Sequence, residues 1–168
     1  MTRPDVIDSI LGPESAIAVS PLRAEKPELA VQMQDYYDAV FEPAPDSAQA
    51  LSPAKRWLIA VRTASHTKSV AVVEWYSEQA HRSGVDKDTI AKAADVSIPW
   101  AGEPGITAIM RHVDLIVTHP VDSSRADIEA LSDAGLTPAA IVALSQVVAY
   151  VSYQLRLIAA FRALGGVR

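Results

Sequence analysis

Leu51-Ser52-Pro53-Ala54-Lys55-Arg56-Trp57-Leu58-Ile59-Ala60-Val61-Arg62-Thr63-Ala64-Ser65 reads as a complete helix that carries its own start signal. A hydroxyl at Ser52 can accept from one of the backbone N–H groups that a helix leaves unpaired at its beginning, and Pro53 stands at the first helical position, where its missing donor costs nothing. The same device recurs 85 residues later as Leu136-Thr137-Pro138-Ala139, directly after the stop at Gly135. From there Ile141, Leu144, Val148, Val151, Leu155 and Ala159 follow at steps of three and four to Leu164-Gly165-Gly166, a second long helix. The echo reads either as a pseudo-symmetric pair of helical hairpins or as two helices that use the same good cap.

Outward from these two anchors the punctuation is helical throughout. Residues 1 to 25 read as an arm with a short amphipathic turn at Asp5 to Leu11, a break at Gly12-Pro13 and a boundary at Ser20-Pro21. Leu29, Met33, Tyr36, Tyr37, Val40 and Phe41 place an amphipathic helix between about Lys26 and Phe41. Glu42 to Ser52, with Pro43 and Pro45, reads as a linker. After Ser65 the spacing predicts helices over Ser69 to Arg82, stopped at Ser83-Gly84, and over Asp86 to Ala94. A loop with Pro99, Gly102, Pro104 and Gly105 then leads to Ile106 through Thr118, closed by Pro120, and Ser123 or Ser124 caps a helix to about Asp133. No period-two stretch of useful length occurs. The expectation is an all-α bundle of about six or seven helices, one domain over residues 1 to 168 with 1 to 45 as an N-terminal arm plus first helix.

Composition removes several chemistries. The chain has 168 residues, a net charge of -5, 49% hydrophobic residues and no cysteine. That hydrophobic share suits one compact domain with a sizeable core. The absent cysteines exclude disulfides, thiolate nucleophiles and cysteine-held metals or clusters. Seven glycines without a Gly-rich loop, and no stretch of clustered Lys and Arg, speak against nucleotide and nucleic-acid partners. The uncharged run from Leu136 to Leu155 is long enough to span a bilayer but contains Pro138, Ser145, Gln146, Ser152 and Gln154, so it reads as a buried core helix, with no membrane partner. Met1 to Asp8 holds an early acidic residue and no apolar run, so a cytoplasmic location is expected.

The stretches 51 to 65, 69 to 84 and 129 to 166 together resemble the carboxymuconolactone decarboxylase and alkylhydroperoxidase D-like superfamily, over about two thirds of the chain. The resemblance implies an all-helical bundle that assembles as a homo-oligomer. The redox branch of that superfamily carries Cys-x-x-Cys-x-x-x-His at the start of a helix, with a glutamate twelve residues before the first cysteine. Aligned on Val61-Arg62 and Trp75, that frame falls on Ser69 and Val72 for the cysteines, Tyr76 for the histidine and Trp57 for the glutamate. Every chemical position is changed. Serine and valine cannot cycle through sulfenic acid or a disulfide, so cysteine-dependent peroxidase chemistry is excluded.

What the resemblance leaves is a pocket at the same positions: Trp57, His66, Ser69, Val72 and Tyr76. Ser69 reads either as an N-cap or as a ligand contact, and Trp57 and Tyr76 either as core or interface packing or as pocket walls. His112 and His119, seven apart with Asp114 and Asp122 nearby, read as surface histidines rather than a metal site, for they lack a ligand pair at helical spacing. Glu74 and Glu78 read as a solvated helix face, and Gln146, Tyr150 and Tyr153 as a second face of the last helix, of the kind used between subunits. No residue pattern names a catalytic residue or calls for a cofactor. The reading is therefore a non-redox oligomeric binding or accessory protein, its partner a small molecule or a related family subunit. The alternatives are a cysteine-independent enzyme that works by acid-base chemistry on a small acidic or lactone substrate, and a purely structural helical subunit.

Overall fold

The computed structural model describes residues 5–45, 50–67 and 69–165. Among them are nine α-helices and no strand: α1 (Val6–Leu11), α2 (Pro13–Ala24), α3 (Pro27–Phe41), α4 (Pro53–Ser65), α5 (Val70–Arg82), α6 (Lys87–Ala94), α7 (Pro104–Thr118), α8 (Arg125–Asp133) and α9 (Pro138–Leu164), with a short 3-10 turn at Pro120–Asp122 between α7 and α8. The all-α expectation is met. The count exceeds six or seven because residues 5 to 24 are helical and packed down rather than an arm: Val6, Ile7, Ile10, Leu11 and Val19 are all buried. Helix α2 also runs through Pro21 where a boundary was expected. The proline deprives only the Ile17 carbonyl of its helical donor, and Ile17 is exposed, so water can take that place. The middle of the expected linker, residues 46–49, lies outside the described residues.

The caps explain why the remaining elements start and stop where they do. Ser52 Oγ accepts from the Lys55 N–H at 3.4 Å and Thr137 Oγ1 from that of Ala140 at 3.2 Å. Asp86 caps α6 at 2.8 Å, and Ser124 with Asp127 forms a reciprocal capping box on α8. Gly135 ends α8 at φ +91°, a conformation that a side chain would strain, and the next N–H, that of Leu136, turns back to the Leu131 carbonyl at 3.0 Å.

Helix α4 is the axis of the bundle. It packs on α3, α5, α6, α7 and α9, and every residue from Arg56 to Ser65 is buried. The long α9 lies against it, apolar enough to cross a membrane by length and composition, with 56% of its most apolar window buried in the bundle. Two groups of side chains lock the axis in place. In the first, Phe41 stacks on Trp57 with centroids 4.1 Å apart and planes 15° from parallel, and Tyr37, Tyr76 and Tyr150 pack around that pair. Beneath them Tyr76 donates to Gln154 Oε1, and Gln154 Nε2 donates to Tyr150 Oη at 3.0 Å, so this buried polar chain is satisfied from within. The second group is two buried arginines. Arg56 donates to the carbonyls of Leu51 at 2.9 Å and Val40 at 2.8 Å; Arg62 belongs to the site below.

Candidate functional site

A cleft of about 680 Å³ opens where the end of α4, the start of α5, the end of α7 and the last turns of α9 converge. Its apolar wall is Val117, Leu155, Ile158 and Ala159; its polar groups are Thr63, His66, Thr67, Ser69, Thr118, Ser152, Arg156 and Arg162. A concave mixed lining of this size suits a small organic molecule.

The most ordered feature at its edge is built on α4 and α7. Arg62, only 1% exposed, donates through Nε and Nη2 to the two oxygens of Asp114, each at 2.7 Å, and through Nη1 to the Asp95 carbonyl at 2.6 Å and Nη2 to that of Ile98 at 3.2 Å. One guanidinium thus ties the axis helix to α7 and to the 95–103 loop. One helical turn beyond Arg62, His66 places Nε2 2.8 Å from Asp114 Oδ1. Burial pushes the Asp114 carboxyl up, but hydrogen bonds from His66 and Arg62 and the guanidinium charge outweigh it and hold it below the usual carboxylate range. An ionised Asp114 can only accept, so the His66 proton sits on Nε2 in the neutral ring. Nδ1 is left as a lone pair without a partner among the described residues. Such an imidazole, oriented by a carboxylate behind it, can accept a proton from a bound molecule.

The five positions drawn from the family frame do not lie together. His66 and Ser69 line the cleft, whereas Trp57, Val72 and Tyr76 are 7%, 1% and 0% exposed and belong to the core. Ser69 stands at the N-cap position of α5, yet its hydroxyl does not cap the helix; it accepts from Arg162 Nη1 at a long 3.4 Å. His119 is exposed, but His112 is a correction: at 5% exposure it is buried between α7 and α8, with Nδ1 unpartnered. Among the described residues no group of three or more His, Asp or Glu gathers in a metal-binding arrangement. Glu74 and Glu78 are exposed, and Glu78 pairs with Arg82 along the helix at 2.8 Å. Of the expected second face on the last helix, Gln146 and Tyr153 reach solvent while Tyr150 is buried. Asp114, Thr63, Arg156 and Arg162 were not legible as site residues. The one local signal was Arg62 and His66 at a four-residue step on one helix, which puts both on a single face.

Two groups, buried His112 and half-buried Asp114, predict a stepped loss of stability with acid. For His112, burial lowers the pKa and the charge of Asp127 opposes this only in part, so the unfolded chain takes its proton first. Stability is then complete above about 6.5 and falls as pH drops below it. Asp114 is depressed in the same sense, so its contribution is present above about 3.9 and is lost as pH falls toward the folded value. Urea midpoints measured from pH 8 to 3 should show both declines; His112→Leu should flatten the first and Asp114→Asn the second, and parallel curves for all three proteins would refute the assignment.

Among solved structures, the chain is similar to the crystal structure of an uncharacterized peroxidase-related protein from Silicibacter sp. TM1040, with a TM-score of 0.71 and 15% identity over 79% of this chain and 68% of that one. At that identity the likeness is one of fold. No protein-family model matches the chain, and no curated protein matches it.

Proposed function

We propose that this chain is a non-redox member of the carboxymuconolactone decarboxylase and alkylhydroperoxidase D-like superfamily that binds a small organic molecule in the α4–α5–α7–α9 cleft. The fold shared with a peroxidase-related protein supports the superfamily reading. The absence of any cysteine supports the loss of peroxidase chemistry. The observation that carries the binding reading is the cleft itself, of mixed apolar and polar lining, with His66 and Ser69 in its wall. A homo-oligomer fits the surface: Leu22, Leu29, Tyr36 and Tyr153 are each between 41% and 43% exposed, around the groove that Met33 and Leu157 floor on α3 and α9.

The second reading, a cysteine-independent enzyme that moves protons on an acidic or lactone substrate, draws its support from the His66–Asp114 pair. A thermal-shift screen against small carboxylates, lactones and flavins tests the first reading, because a molecule that binds only the folded chain raises the melting temperature by mass action. The expected result is a dose-dependent rise for at least one class, abolished by Ala159→Trp, which fills the cleft from an exposed position. No rise across the panel would turn the reading toward a protein partner. A hit that His66→Gln still binds, but that only the native chain converts to product, would favour the enzyme.

A further inference from the structure

The lining of the cleft says what its ligand must carry, on the premise of the small-molecule reading above. Two guanidiniums face it from α9, Arg156 exposed and Arg162 half-buried, and no carboxylate lines it, in a chain whose net charge is -5. Each arginine spends one donor on a neutral group: Arg156 Nη1 on the Ser152 carbonyl at 2.8 Å, and Arg162 Nη1 on Ser69 Oγ at 3.4 Å. Neither meets an acidic side chain among the described residues, so most of their five N–H groups each stay open. Asp114, which bonds the cleft residue His66, is already matched by Arg62. Local positive charge without a counter-ion favours an anion there.

The second observation is Thr63, a buried residue that also lines the cleft. Thr63 is 0% exposed, and its Oγ1 has no partner. Ser65, Thr67 and Thr118 each return the hydroxyl to a nearby backbone carbonyl, those of Val61, Ala64 and Asp114. Thr63 does not, although an unmade bond from a buried hydroxyl is costly. Val117, Leu155 and Ile158 supply apolar wall to the same cleft.

We propose that the cleft takes an organic carboxylate bearing a second polar group: the carboxylate at Arg162 and Arg156, an apolar body along Val117, Leu155 and Ile158, and the second group hydrogen-bonded to the Thr63 hydroxyl. Isothermal titration of the full chain with 4-hydroxybenzoate, benzoate and 4-hydroxybenzamide separates the two ends. The hydroxy acid should bind about tenfold more tightly than either the acid without a hydroxyl or the uncharged amide. Arg156→Gln/Arg162→Gln should erase the preference for acid over amide and keep the preference for the hydroxyl. Thr63→Val should do the reverse, and because it removes an unpaired buried group it should also raise the melting temperature, which separates its effect from misfolding. The proposal falls if the acid and amide bind the native chain alike, or if either preference survives its own variant. Equal binding of charged and uncharged probes would leave the small-molecule reading standing without this one; no binding by any of the three up to about 10 mM would remove both.

Discussion

Trp57→Ala should lower the unfolding free energy by about 3–5 kcal/mol, the largest loss expected from any single truncation in this chain. Trp57 stands at 7% exposure on the axis helix, stacked on Phe41 at 4.1 Å and within 6.4 Å of the Tyr37 and Tyr76 rings. Truncation removes the indole area from the core and leaves a cavity between α3, α4 and α5 that a rigid aromatic cluster cannot collapse into. Trp57→Phe keeps a ring for Phe41 to stack on and should cost less than half as much. Urea denaturation followed by far-UV circular dichroism reads both. A loss under about 1 kcal/mol for the alanine variant would mean that the position is not in a packed core, and would reopen it as a cavity wall.

Arg62→Met should cost about 3 kcal/mol, the lower end of the range for breaking a buried ion pair, because Asp114 keeps 29% of its side chain in solvent. The methionine fills much of the same volume, so the loss reports on the polar contacts: two bonds to Asp114 and those to the Asp95 and Ile98 carbonyls. Asp114 is then left with His66 alone. Adding Asp114→Leu to Arg62→Met should restore part of the stability, since an apolar pair costs less than one stranded charge. Amide exchange should speed up across the 95–103 loop in the single variant. Unchanged exchange in that loop would show that Arg62 does not tie it to the bundle.

These two residues mark the boundary between what was readable in one dimension and what was not. Helix starts are local events, decided by a hydroxyl or carboxylate three residues before an unpaired N–H, and helix stops by a glycine free to take positive φ; for that reason α4, α6, α8 and α9 begin within a residue or so of where Ser52, Asp86, Ser124 and Thr137 predict. The absence of thiol chemistry is likewise a matter of composition, and no folding can supply an absent sulfur. Burial is different. Arg56 and Arg62 look like the solvent face of an amphipathic helix, yet α4 is surrounded by five others and both guanidiniums turn inward, because backbone carbonyls from distant segments and one carboxylate 52 residues away are there to receive them. The resemblance set Trp57, Ser69, Val72 and Tyr76 side by side on paper, but the aromatic and aliphatic side chains of Trp57, Val72 and Tyr76 are most stable in the core. The cleft formed instead between the ends of four helices, joining Thr63 and His66 to Arg162 from nearly a hundred residues downstream. Caps, stops and elemental composition depend on neighbours in the chain and were set by the sequence alone; the partners of a buried charge and the walls of a cavity depend on which helices pack together, and only the tertiary structure decided them.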